Sequence, residues 1–383
     1  MNTFNLKSKY FFGRKAIENL NEVFKDKKYQ KVMITYGTGS IKANGIYDEL
    51  IEILKANKID YIEHANILAN PRHDDIFEAS VKARENNVDL IIAVGGGSVI
   101  DASKVIAILA TNENYTDAWD YVINNQEAKN PAIDLISIIT LAGTGSENNA
   151  GSVITNLDLK EKRAVSTESA IPFIVIEDPS YTFSLSEYQT SCGIFDIFSH
   201  LLEQYFSPNT FDWTKEIIFA NIRNTINNAK KLAINPNDYD ARANILWTSS
   251  MALNGITSFN SGSDWEVHTI EHGISAVWDV AHGAGLALIT PTYIKIRSDK
   301  EEWFKEKSLK LAREVFNVQT IDELIYELNE FITLLKLPKK WTDFKEIKTI
   351  QKNDIEHVVR HALETNGKLD KSLYMEIINN IDL

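Results

Sequence analysis

Residues 89–103 read DLIIAVGGGSVIDAS. The run LIIAV carries no polar residue on either face, which is the pattern of a strand buried on both sides. Glycines follow at once, and the apolar spacing then changes to that of a helix running from about Ser98 to Leu109. Glycines at such a turn let the backbone approach a ligand closely. The free N–H groups at the start of the helix attract an anion such as a pyrophosphate. Strand, glycine turn and helix together predict one step of an α/β fold.

The same alternation extends outward from this stretch. Residues 32–36 (VMITY) predict a buried strand that ends in the turn Gly37, Thr38, Gly39, Ser40. Ile46, Leu50, Ile51 and Leu54 lie at helical spacing over about 45–57. A further helix begins at Asp74, with acids in its first turn. Residues 134–140 (DLISIIT) and 172–176 (PFIVI) predict two more strands. This order implies a mostly parallel sheet covered on both faces. From Ser186 onward the pattern is helical, over 187–206, 213–232, 241–254, 266–277 and 303–315. We therefore expect an α/β nucleotide-binding domain over 1–183 and an all-α domain over 184–383. No repeat, low-complexity tract or Gly/Ser linker separates them, so a ligand cleft between abutting domains is expected.

Bulk properties narrow the function. The formal charge of −13 argues against non-specific binding to nucleic acid or anionic membranes. The one cysteine, Cys192, excludes an internal disulfide and a four-cysteine metal site, and a reducing compartment fits. The start MNTFNLKSKYFFGRK lacks a signal-peptide core, and no run reaches the roughly 20 apolar residues of a membrane helix. A cytoplasmic protein is the expectation. The dinucleotide fingerprint GxGxxG is missing, because Lys42 stands where the third glycine after Gly37 and Gly39 belongs. A second glycine turn, 140–147 (TLAGTGSE), supplies hydroxyls and backbone donors but no P-loop lysine, which argues against phosphoryl transfer.

Histidines carry the metal chemistry. Asp196 and His200 stand four apart in GIFDIFSHLLEQY, on one face of a helix. His268 and His272 are also four apart, and His282 follows ten residues later. Three imidazoles and a carboxylate suit a divalent transition metal, Fe²⁺ or Zn²⁺. His357 and His361 share the same spacing in NDIEHVVRHALE. With no third ligand candidate nearby in sequence, they read as a solvated helix face. Spacing alone does not separate the pairs.

The motifs together resemble the iron-containing alcohol dehydrogenase family, in its branch of butanol dehydrogenases and broad aldehyde reductases. The resemblance runs through FFGRKAIENL, ITYGTGSIK, ANPRHDD, AVGGGSVIDASK, LAGTGSENNAGSVIT, FDIFSHLLEQYF, RANILWTSSMALNG and H-x3-H-x9-H, and so covers nearly the whole chain. It implies the two-domain architecture of the dehydroquinate synthases and a homodimer. It also implies hydride transfer between a nicotinamide cofactor and a small alcohol or aldehyde. By the matching motifs, Asp196, His200, His268 and His282 are the metal ligands, while His272 lies near the nicotinamide and relays a proton. Gly96, Gly97 and Ser98 match the pyrophosphate turn, and Thr140 and Thr144 match cofactor contacts. Asp101 lies at the same cleft as a catalytic and cofactor-binding group, Asn70 belongs to the cofactor set, and Lys162 matches a lysine near the nicotinamide ribose. Gly151 stands where some members place an asparagine, and Asn148 or Asn149 can compensate.

Gly37, Thr38 and Ser40 replace an acid that, in some members, repels a 2′-phosphate. With Lys42 nearby, this implies NADP in preference to NAD. Trp265 and Phe259 are candidates to line the pocket, with core packing the favoured role for each. The resemblance leaves three alternatives: a glycerol or diol dehydrogenase, a metal-dependent lyase like dehydroquinate synthase, and a non-catalytic sensor. The lyase needs a basic cluster for a phosphate or phosphonate, and none stands beside the metal motifs.

Overall fold

The structure, a computed structural model, describes residues 4–124, 128–365 and 367–382. The chain forms two compact units. One consists of Asn5–Asn156 with Lys162–Leu185, and the other contains Leu157–Glu161 and Ser186–Leu383.

The first unit is α/β. Its strands are β1 (Lys9–Phe12), β2 (Lys31–Tyr36), β3 (Asp60–His64), β4 (Leu90–Gly95), β5 (Asp134–Ile139), β6 (Gly151–Asn156), β7 (Glu161–Ser166) and β8 (Ile174–Glu177). Six of them form one sheet in the order β1-β8-β5-β4-β2-β3. All five pairings are parallel, as the alternation of elements predicts. Every residue of β4 is buried, as befits a central strand covered on both faces.

The sequence reading finds the four strands β2, β4, β5 and β8 and misses the other four. β1 and β3 are edge strands, short or polar, with burial patterns that never become continuous. β6 and β7 form a separate two-stranded ribbon, and their sequences GSVITN and EKRAVS lack a clean alternation.

The register sets three turns side by side. Tyr36 pairs with Val94, and Gly95 pairs with Ile139. The strands are parallel, so the turns after β2, β4 and β5 leave the same edge. From β2 the chain steps outward to β3, whereas β4 leads the other way to β5. The sheet therefore reverses its winding between β2 and β4, and ligands of such sheets bind at the carboxyl ends beside that reversal.

The other unit is helical. No strand follows β8 among the described residues. The helices Glu187–Tyr205, Asp212–Ile234, Tyr239–Ala252, Glu266–Trp278 and Glu302–Leu311 agree with the five read from sequence, and His282–Lys300 is a further helix that the spacing did not single out. Ser186 and Gln189 close the first of them with a capping box.

The helix His282–Lys300 crosses Glu187–Tyr205 at very short range. A Cβ placed on Gly283 would lie 2.0 Å from the Cys192 carbonyl oxygen. Asp279, in the left-handed region at φ 54°, ends the helix Glu266–Trp278 and lets the chain turn back into the helix that starts at His282. Phe195 and Phe198 of the helix Glu187–Tyr205 pack against Phe331.

One expectation is corrected here. His357 and His361 do not form a solvated face. His361 is buried, and His357 is hydrogen-bonded through Nε2 to the Lys160 carbonyl at 2.8 Å. The helix Lys352–Glu364 packs its apolar side against Glu266–Trp278, where Gly273 faces Val358, and that packing buries His361. Among the described residues, no helix is long and apolar enough to cross a membrane.

Candidate metal centre and nucleotide-binding turn

In the helical unit, Asp196 and His200 project from one face of Glu187–Tyr205, both buried. Helical spacing makes them neighbours, with His200 Nε2 3.3 Å from Asp196 Oδ1. His268 Nε2 lies 3.6 Å from the same oxygen and His282 Nε2 lies 3.5 Å from it. Three imidazole nitrogens from three helices thus converge on one carboxylate oxygen. Asp196 Oδ1 and His268 Nε2 are buried and form no hydrogen bond among the described residues. Polar atoms buried in this way are costly unless something satisfies them.

The separations favour a cation. Ligand atoms ~2.1 Å from an ion at tetrahedral angles stand ~3.4 Å from one another, which is about the distance of each nitrogen from Asp196 Oδ1, and the atoms of Asp196, His268 and His282 all lie within 4.8 Å of one another. The donor set, imidazole with one carboxylate, is that of a divalent transition metal. Burial works against ionised Asp196, but His200, His282 and His268 hold it well below the usual carboxylate range. Burial also works against a charged His268. Glu203 and Asp196 outweigh it and push the ring up to about 10, so an entering cation competes with a proton.

His272, half-buried, lies on the same helix as His268, with its ring centroid 5.7 Å from that of His282. The group Glu271, His272, His282 is a second convergence of donor atoms. There, however, the Glu271 carboxylate holds the Nδ1 side of His282, away from Asp196. Trp265 sits in the left-handed region at φ 64°, unusual for so large a residue, and sets its ring edgewise against His200 and His268. It thus borders the cluster. Phe259 packs against Phe4.

Two carboxylates here escape the sequence reading. Glu203 meets His268 Nδ1 and Glu271 meets His282 Nδ1, and both are fully buried. A glutamate on an amphipathic helix ordinarily reads as solvated. The available signal is position, since Glu203 stands three residues after His200 and Glu271 three residues after His268, each on the face that its histidine occupies.

In the α/β unit, Gly96 caps the helix Gly97–Leu109 without a side-chain hydrogen bond to its first turn. The turn is built for small residues. A Cβ on Gly97 would lie 2.3 Å from Thr144 Oγ1, and one on Gly96 would lie 2.9 Å from Leu141 Cβ. The glycine turn and the Thr140–Glu147 turn therefore touch, with Ser98 in the first turn of the helix. The Thr140 N–H donates to the Gly95 carbonyl at 3.1 Å, and Thr144 Oγ1 accepts from the Ser146 N–H at 3.2 Å.

Asp101 is buried under this turn. It accepts hydrogen bonds from the Ser146 hydroxyl and from the Val153 N–H at 2.8 Å. Burial raises its pKa, against the pull of Lys104 and, more weakly, of Lys162. Lys104 is buried too, and donates to Ser146 Oγ and the carbonyls of Asn149 and Gly151 at 2.7–2.8 Å. Burial lowers Lys104 to about 8, with Asp101 and Glu147 opposing. Asn149 braces the same loop, accepting from the Gly151 N–H and donating to the Gly145 carbonyl, both at 2.9 Å. Asp101 and Asn149 are thus gathered around Lys104, a residue of the AVGGGSVIDASK motif to which the sequence assigns no role, while Lys162 acts on Asp101 more weakly.

The remaining predicted cofactor residues lie at the edge of the sheet. Gly37, Thr38 and Ser40 follow β2, with Thr38 and Ser40 exposed. Lys42 is paired with Glu63 at 3.0 Å and lies over the rings of Tyr36 and Tyr47. Asn70 is buried in a left-handed conformation, and its carbonyl accepts from Arg72 at 2.8 Å.

The model of iron-containing alcohol dehydrogenases matches residues 7–179, and that of the C-terminal region of the Fe-containing alcohol dehydrogenase family matches 190–375. The chain belongs to the iron-containing alcohol dehydrogenase family. It is 35% identical over 371 residues to NADH-dependent butanol dehydrogenase A of Clostridium acetobutylicum, covering 95% of this chain and 93% of that protein. It is 32% identical over 353 residues to NADPH-dependent aldehyde reductase YqhD of Escherichia coli, covering 90% and 89%. The crystal structure of NADH-dependent butanol dehydrogenase A from Thermotoga maritima superposes with a TM-score of 0.92 at 31% identity, covering 100% of this chain and 98% of that one. The fold is therefore the α/β-plus-helical architecture expected from the sequence. As a family member the protein is an alcohol dehydrogenase that works with a divalent metal and a nicotinamide cofactor.

Proposed function

We propose that the protein transfers a hydride between NAD(P)H and small primary alcohols or aldehydes of the butanol and butanal type, with Asp196, His200, His268 and His282 holding one divalent ion. The observation that carries this reading is the convergence of three imidazole Nε2 atoms on the single oxygen of Asp196. A divalent ion bound there supplies Lewis-acid polarisation of a carbonyl and stabilises an alkoxide. The turn at Gly96, Gly97 and Ser98 takes the cofactor pyrophosphate on helix N–H groups. Thr140, Thr144, Asn70, Asn149 and Lys162 complete the cofactor contacts. Asp101 orients the nicotinamide end from its fixed position beneath the turn. His272, beside His282 and outside the ligand set, relays the proton, because imidazole titrates near neutrality.

The cofactor is NADP in preference to NAD. The support is the small, neutral run Gly37, Thr38, Gly39, Ser40 at the edge where β2 ends, with Thr38 and Ser40 exposed. Lys42 adds little to this, since Glu63 already neutralises it. The ion is Fe²⁺ or Zn²⁺. The protein works as a cytoplasmic homodimer with functional domains over 1–183 and 184–383, which light scattering and limited proteolysis test.

The decisive experiment is steady-state turnover of butanal by metal-replete protein with NADPH and with NADH. Oxidation of either cofactor supports the reading, and none with any short aldehyde sinks it. Comparing kcat/KM for butanal, glycerol and 1,2-propanediol separates it from a diol dehydrogenase.

A further inference from the structure

The helix Glu302–Leu311 sets Trp303, Glu306, Lys307 and Lys310 on one face, because residues three and four apart share a side. With Pro208 they line a hollow of about 500 Å³ in the helical unit. That is the size of a site for a small organic molecule.

Lys307 is held from two directions. Its Nζ donates to the Tyr205 carbonyl at 3.0 Å and to Thr210 Oγ1 at 2.6 Å. The Thr210 hydroxyl spends its own proton on the carbonyl of Tyr205 or Ser207, at 2.8 and 3.0 Å, so toward Lys307 it only accepts. The Tyr205 hydroxyl donates in return to the Lys307 carbonyl at 2.8 Å. An ammonium carries three protons, and these contacts take two. Burial, with Lys215 and Lys310 nearby, lowers Lys307 to about 8, and Asp264 opposes.

Lys310 is crowded by a like charge. Lys215, on the helix Asp212–Ile234, stands beside it and lowers its pKa, against the pull of Asp212 and Glu216. Those two acids belong first to Lys215, at 2.6 Å and 3.8 Å. Glu306 shares the rim of the hollow. Among the described residues, neither Lys307 nor Lys310 forms an ion pair with it or with any other carboxylate. Three ammonium groups thus gather in a chain whose formal charge is −13, and the two on the hollow lack a contacting counter-charge. Like charges held together are costly until an anion joins them. The same hollow has an apolar wall in Trp303 and Pro208.

We propose that this hollow binds a small phosphate monoester, whose phosphoryl oxygens accept from Lys307 and Lys310 and whose organic group lies against Trp303. A phosphoryl group offers several strong acceptors at once, and lysine meets it as a point charge. Inorganic phosphate shares the charge but has nothing to lay on the apolar wall.

Lysine footprinting on the full-length protein tests this, with N-hydroxysuccinimidyl acetate as a neutral acetylating reagent and phenyl phosphate as the probe. Mass spectrometry reads each lysine separately, and the exposed Lys348 and Lys371 serve as controls. At about 10 mM phenyl phosphate, acetylation of Lys307 and Lys310 should slow roughly tenfold, as a Kd on the order of 1 mM requires. The controls should not change. Lys310 carries the readout where burial keeps Lys307 slow. Inorganic phosphate should protect less, and Trp303→Leu should bring phenyl phosphate down to its level. Three results on wild type overturn the proposal, whether or not the variant folds: no protection of Lys310, protection that sodium chloride reproduces at matched ionic strength, and equal protection by inorganic phosphate. Undiminished protection in folded Trp303→Leu overturns it as well.

Discussion

His200 and His272 both neighbour His268 but are assigned different work, and single substitutions separate them. His200→Ala removes one of the three nitrogens that face Asp196, so bound metal and turnover should disappear together. His272→Ala should keep its metal and lose rate by about 10²–10⁴, the usual worth of a positioned proton-transfer group. Metal content by elemental analysis beside kcat checks both, and normal turnover in the two variants would falsify the assignment. Asp264 gives a stability test away from the ligands. Burial raises its pKa to about 6 from an ordinary 3.8, against the opposing pull of Arg297 and Tyr293. Between those values the folded protein holds a proton that the unfolded chain releases, so this contribution is complete below pH 3.8 and is lost as pH rises through about 6. Asp264→Asn carries no such proton. Relative to it, wild type should lose on the order of 2 kcal/mol between pH 4 and 7, read from urea midpoints.

Two close approaches between elements bear on the sites. A methyl group on Gly283 meets the Cys192 backbone, which has no flexible end to swing aside. Gly283→Ala must push the helix carrying His282 off the helix carrying Asp196, so melting temperature and metal content should fall together, by more than the ~1–3 kcal/mol of ordinary overpacking. Gly97→Ala drives into Thr144 instead, in the other unit. It should weaken NADPH binding, followed by fluorescence, and leave the metal in place. Much of this was legible in the sequence, and the reason is periodicity. LIIAV and VMITY are buried on both faces and announce themselves, whereas β3 at the sheet edge mixes buried and wet positions and does not. The Asp196–His200 pair was visible because a helix turns four residues onto one face. The same rule offered His357 and His361 equally well, and only tertiary packing shows one buried and the other bonded to Lys160. Glu203 and Glu271 were illegible, since nothing local distinguishes a carboxylate that will be walled in by histidines from one that will face water.

For the molecule as a whole, the ligand candidates all lie in the helical unit, on three of its helices. A cation that binds only the folded state stabilises it in proportion to the logarithm of its saturation. Chelation should therefore raise amide exchange in Glu187–Tyr205, Glu266–Trp278 and His282–Lys300 while the six-stranded sheet keeps its protection. Equal loosening of both units would count against a metal confined to one of them. The helical unit also claims a short piece from the middle of the chain, Leu157–Glu161, which is the connection after β6 together with the first residue of β7. Its Lys160 carbonyl finds its partner, His357, 197 residues later. Synthesis runs from the N-terminus, so on the ribosome the α/β unit is finished while this connection still waits for a helix not yet made. A helix made late in synthesis thus secures a segment translated long before it, and a nascent chain truncated ahead of residue 352 should leave 157–161 open to protease while β2, β4 and β5 are already protected.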